Sequence, residues 1–193
     1  MAKVVYTGAK AQKLIKPEYI VLTLFTGAEN DSTPLGDSYI LEDVIEDTTS
    51  ISQDDNNTTD IECETSDSPV VSIVKIGKYQ VSAEVGDTQS AILKDLCDFT
   101  ADTTGKKVYA PSVYRKKYAK FDVVFKTGDN TYSAFVVPKL QLNSKLMIES
   151  LNSNLGRVSL AGTAQDVVVT IGEKQVRTPF YKDENYTLPT AGK

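Results

Sequence analysis

Apolar and polar positions alternate most clearly over residues 78–85, where Tyr79, Val81, Ala83 and Val85 are separated by Gln80, Ser82 and Glu84. A period of two places each set on one face of an extended chain, so this stretch predicts a strand with one buried face. The period then lengthens. Ile92, Leu93, Leu96 and Phe99 recur at spacings of three and four, which predicts a helix capped by Asp87 or Thr88 and running to about Phe99. Its apolar stripe is that of a core-facing helix. Upstream, the run YIVLTLFT at 19–26 predicts a buried strand closed by Gly27, a turn-rich loop occupies 28–37, and a β-prone pattern resumes over 38–45. Segments 48–53 and 58–64 flank DDNN at 54–57 and predict a hairpin. On its second arm Asp60, Glu62 and Glu64 alternate with Ile61 and Cys63. That sets three carboxylates on one face and lets Ile51 meet Ile61 or Cys63 on the other.

Downstream, strands are expected at 106–110, 120–126 and 131–137, the last two joined by Gly128-Asp129-Asn130, with Pro138 interrupting or ending its strand. Residues 145–152 fit either a short helix or a strand. Further strands are expected at 156–162, 166–171 and 174–177, with a turn at Gly172-Glu173. The pattern predicts a mainly β protein, a β-barrel or sandwich with one flanking α-helix, a long hairpin and an extended N-terminal arm. The chain divides into a basic arm (1–18), a single β-rich domain (19–178) and a C-terminal tail (179–193). At 193 residues one domain suffices, and 40% apolar residues supply a core.

Charge is unevenly placed. The 58 residues from 17 to 74 hold 14 acids and no base. The whole chain has 26 acids and 21 bases, so 12 acids and 21 bases remain outside that window, a net +9. Asp54, Asp55, Asp60, Glu62 and Glu64 form the candidate acidic face. Lys3, Lys10, Lys13 and Lys16 on the arm, and Arg115, Lys116, Lys117 and Lys120 in YRKKYAK, form the candidate basic contact surface. Such polarity attracts unlike faces of neighbouring molecules and says nothing of fold. A basic face docking an acidic neighbour fits the second cluster better than nucleic-acid binding, although its interleaved tyrosines could stack on bases.

The chain has no histidine, which removes the commonest general base and every His-dependent hydrolytic triad or zinc site. No phosphate-binding loop, nucleophile elbow or metal-binding helix motif occurs, and the spacing around Asp54-Asp55 does not match a calcium-binding EF-hand. No enzyme activity, catalytic residue, cofactor or metal is expected. Cys63 and Cys97, with no CxxC spacing, are expected to be unpaired thiols of a chain matured in a reducing cytoplasm. The most apolar run, 19–25, is about a third of the length needed to span a bilayer, and no signal peptide is apparent, so a soluble protein is expected.

The succession TSISQDDNNTTDIECETSDSP, GKYQVSAEVGD and TQSAILKDLCDF, about a quarter of the chain, resembles phage tail tube proteins and the related tube-forming proteins of contractile and secretion machines. The resemblance implies a small β-barrel or sandwich with a flanking helix. It implies subunits that associate head to tail into homo-oligomeric rings, expected as hexamers, stacking into a conduit for DNA or protein in a virion assembled in the host cytoplasm. Its partners would be copies of itself, other tail or neck proteins and passing DNA that is not gripped. The acidic face would then be luminal or a subunit contact. Another phage assembly subunit (neck, hub or capsid-associated ring protein) and a surface-binding or adhesin module are the alternative readings.

Overall fold

The computed structural model describes residues 16–25, 34–63, 66–86, 88–104, 106–148, 156–171 and 173–189. Among the described residues the fold is mainly β, with antiparallel sheets and a single short helix. The strands are β1 (Tyr19–Phe25), β2 (Pro34–Leu41), β3 (Ser50–Gln53), β4 (Asn57–Cys63), β5 (Ser66–Lys75), β6 (Tyr79–Val85), β7 (Thr100–Ala101), β8 (Val108–Tyr109), β9 (Lys117–Gly128), β10 (Thr131–Met147), β11 (Arg157–Ala164), β12 (Val167–Ile171), β13 (Lys174–Thr178) and β14 (Tyr181–Tyr186). Helix α1 (Ser90–Cys97) lies between β6 and β7.

One large antiparallel sheet runs in the order β2-β1-β9-β10-β11-β6-β3, with β14 paired to β10 beside it. Alternate residues build its inner face: Ile20 and Leu22 on β1, Ala119, Phe121 and Val123 on β9, Leu140 and Leu142 on β10, Val158 and Leu160 on β11, and Val81, Ala83 and Val85 on β6. Helix α1 turns Ile92, Leu93, Leu96 and Cys97 into the same cluster, as its stripe predicts. The sheet curls round this core. The chain leaving β2 runs beside β6, where Val44 bridges Val85, the Ile45 amide donates to the Glu84 carbonyl at 2.9 Å and the Gly86 amide to that of Asp43 at 2.8 Å. The β2 side of the sheet is thereby tied to its β6 side. A second, smaller cluster of Val21, Val124, Ala134, Val136 and Tyr186 covers the opposite face of β1, β9 and β10.

Several expectations are corrected. Segments 48–53 and 58–64 do not pair with each other: β3 pairs with β6 and β4 with β5, so Ile51 faces Val81, not Ile61 or Cys63. The DDNN stretch links two strands that run on in the same direction. Pro138 does not end its strand. Strand β10 continues through it at a bulge, where the pairing with β9 shifts between Val137 and Leu140 and the other neighbour changes from β14 to β11. No ladder amide is needed there, which is where a proline is tolerated in a sheet. Of the ambiguous segment 145–152, the part up to Met147 is strand, paired with β11; 149–152 lies outside the described residues. Gln89, not Thr88, holds the position before the helix and accepts the Leu93 amide at 3.0 Å, and the helix ends at Cys97 rather than Phe99. The expected tail supplies β14, because Tyr181 and Tyr186 each have apolar neighbours to join.

Candidate functional site

The two strand pairs β3–β6 and β4–β5 form one ribbon. Gln53 faces Tyr79 and Asn57 faces Lys75, so three residues intervene on each side and the register carries through. The intervening residues are locked together. The Asp54 amide donates to the Lys78 carbonyl at 2.8 Å, the Gly77 amide to Asn56 Oδ1 at 3.0 Å, and Gln80 Nε2 to Asp54 Oδ2 at 2.9 Å. The backbones approach so closely that a Cβ on Gly77 would lie 1.8 Å from the Asp54 carbonyl oxygen, which only glycine permits. Beyond this root β4 and β5 pack mainly on each other, with no comparably extensive contact to another element among the described residues. Seven residues of β4 at about 3.3 Å each carry the ribbon about 23 Å outward. Ile73, Val74 and Ile76 stand on it 45%, 58% and 74% exposed.

Of the predicted acidic group, Asp54, Asp55, Asp60 and Glu62 lie along this ribbon. Asp54 and Asp55 are exposed at its root rather than its tip. Asp60 and Glu62 are on β4; the placement of their side chains, and Glu64 altogether, lies outside what is described, so the expectation that the three share one face does too. The pairing of β4 with β5 shifts register between Ile61 and Cys63.

The predicted basic group is divided. Lys3, Lys10 and Lys13 lie outside the described residues, and Lys16 is ion-paired with Glu46. Arg115 and Lys116 sit together on the exposed segment before β9, next to Val113 and Tyr114, which are 72% and 65% exposed. Lys117 is committed to helix α1: its ammonium donates to the carbonyls of Asp95 (2.7 Å) and Leu96 (3.1 Å) and pairs with Asp98 (2.8 Å). These are the carbonyls a helix C-terminus leaves unsatisfied. Asp98, left-handed at φ 59°, also accepts the Arg115 amide at 3.0 Å. Burial works against the Asp98 carboxylate, but these hydrogen bonds and cations prevail and hold its pKa below the ordinary value. The segment bearing Arg115 and Lys116 is thus clamped to the end of α1.

Lys120 belongs to a different constellation, which sequence reasoning missed. It donates to Asp122 Oδ2 at 2.7 Å, the Tyr186 hydroxyl donates to the same oxygen at 2.6 Å, and the ammonium lies 5.7 Å from the Tyr186 ring centre. Asp122 is 1% exposed and its Oδ1 has no hydrogen-bond partner. Burial raises its carboxyl above the ordinary value, with Lys120 and Tyr186 pulling the other way. Burial, then the adjacent carboxylate, raises the Tyr186 hydroxyl as well. The alternation in KFDVVF put Asp122 on the face opposite Phe121 and Val123; nothing local signalled that a strand 60 residues later would cover it.

No protein-family model matches the chain, and neither does any curated protein. Chemistry must be read from the residues alone. An open apolar cavity of about 490 Å³ is lined by Ile51, Val123, Phe125, Phe135 and Phe180, with Pro17, Thr49 and Ser50 at its border. None of these side chains is an acid or a base, so the cavity offers nothing for proton transfer. Among the described residues no group of three acidic or sulfur ligands is placed to hold a metal, and no helix is long and apolar enough to cross a membrane.

Proposed function

We propose that this chain is a virion structural protein of tail-tube type, a subunit that associates with copies of itself into a ring forming a conduit for nucleic acid or protein. The observation that carries the reading is the β4–β5 ribbon. A two-stranded hairpin is at best marginal alone in water, and three large aliphatic side chains exposed along one call for a partner. The curled antiparallel sheet with one helix packed on it agrees with the architecture that the resemblance implies. Unlike charges on different parts of the subunit suit heterologous contacts, in which one face meets a different face of the next copy. A window of 58 residues without a base also gives DNA no phosphate grip, because each neutralised phosphate adds affinity through counterion release.

Negative-stain microscopy of the purified protein tests the reading, with light scattering to give the mass. The expected result is rings with a central hole, six subunits round. A monodisperse monomer at every concentration reached would overturn it and favour the surface-binding alternative.

A further inference from the structure

We infer that the β4–β5 ribbon of one copy docks on the basic segment 106–116 of a second copy. The inference rests on reading the chain as a self-assembling subunit and names the two surfaces that meet. The described residues of the ribbon and its root carry Asp54, Asp55, Asp60, Glu62 and Asp67 against Lys75 and Lys78, and expose Ile73, Val74 and Ile76. The segment 106–116 has the complementary character. Lys106, Lys107, Arg115 and Lys116 are exposed on it, beside the exposed apolar side chains of Tyr109, Val113 and Tyr114.

The acids nearest that segment are engaged within the subunit. Asp98 is bound by Lys117 and the Arg115 amide, while Asp102 accepts from Thr104 Oγ1 and from the amides of Lys106 and Lys107. The segment itself holds four bases and no acid, so its charge is positive, and the clamp onto α1 holds it in place before any partner arrives. A pre-ordered surface loses less entropy on binding. Opposite charge on both sides steers the encounter, and apolar groups on both sides are covered on contact. The register continues the ribbon beyond the ends of β3 and β6, which leaves its exposed apolar side chains available to a second copy.

Two variants of the full chain test this: Val74→Lys with Ile76→Lys on the ribbon, and Arg115→Glu with Lys116→Glu on the segment. All four side chains are exposed, so both variants should fold, as thermal melts would verify. Like charges facing each other at an interface are strongly unfavourable, so each variant should associate about 100-fold more weakly than wild type in sedimentation velocity. Mixing the two should restore one intact contact, from the ribbon of the segment variant to the segment of the ribbon variant. The reciprocal contact also sets the new lysines against the new glutamates, so the product should be a 1:1 dimer or a larger assembly in which the two variants alternate, which also proves both variants folded. Arg115→Lys with Lys116→Arg, which keeps the charge, should assemble as wild type does. If wild type assembles but either reversal assembles equally well, or the mixture yields no mixed species, the docking is wrong and self-assembly stands. If wild type is monomeric throughout, the self-assembly reading fails and the docking falls with it.

Discussion

Replacing Tyr186 with Phe removes a single oxygen from the most enclosed polar site in the described part of the molecule. That hydroxyl donates at 2.6 Å to Asp122, whose side chain is 1% exposed and already has one oxygen unpartnered. Without it, Lys120 alone holds the carboxylate. A hydrogen bond to a charged buried group contributes about 1.5–3 kcal/mol, and in a chain of this size each 1 kcal/mol moves the midpoint by about 2–4 °C. The variant should therefore melt roughly 3–12 °C below wild type at pH 7 by circular dichroism. The sign of the pH dependence follows from the same site. The carboxyl is raised above 3.8, so the native state binds its proton more tightly than the unfolded chain does. This group's contribution to stability is full below pH 3.8, falls as pH rises through the raised value, and is level thereafter. Removing the hydroxyl takes away one group that lowers the pKa, so the variant should lose stability over a wider pH interval. Tyr114→Phe, at a residue 65% exposed, is the control and should shift nothing. A shift below about 1 °C for Tyr186→Phe would refute the reasoning and mean that the β14 contact contributes little.

Gly77→Ala should loosen the ribbon at its root, because the new Cβ would lie 1.8 Å from the Asp54 carbonyl oxygen; amides of β4 and β5 should exchange faster while those of β9 and β10 keep their protection, and uniform exchange would count against a separately anchored ribbon. Cys97 is free, 1% exposed, and its thiol is pushed up by burial, so in a Cys63→Ser background a thiol reagent should react only as the protein unfolds; rapid labelling of the native protein would contradict the packing of α1. Ring assembly should slow markedly between low salt and 1 M salt, where screening lengths fall to about 3 Å, and rates unchanged by light scattering would make apolar contact the sole driver.

What was legible in the sequence was local. The alternation at 79–85 and the three-and-four spacing at 92–96 each encode one face of one element, and both faces point into the core as expected. Pairing was not legible where the decisive partner is distant. DDNN has the composition of a turn, yet its neighbours find better partners in β5 and β6, and it is Cys63 that pairs with a residue close by in sequence, Ser66. Of YRKKYAK, composition gave the positive charge but not its division among a helix end, a buried carboxylate and an exposed patch. That division depends on α1 and β14, which meet the segment only in three dimensions.

The order of strands in the main sheet also sets a timetable for folding. Strands β9 and β10 are joined through Asp129 and Asn130, and the ribbon likewise closes between near neighbours in sequence. Strand β1, by contrast, must find β9 across a loop of roughly a hundred residues, with Tyr19 opposite Val124. Closing a loop ten times longer costs about 2 kcal/mol more in chain entropy, so the β1–β2 pair should join β9 late. During synthesis, β1 can pair with β2 at once, but nearly two-thirds of the chain must emerge before it gains β9 on its other side. The projecting ribbon, built from local pairings, can begin to pair before the body that stabilises it is complete, while the edge of β9 still lies open.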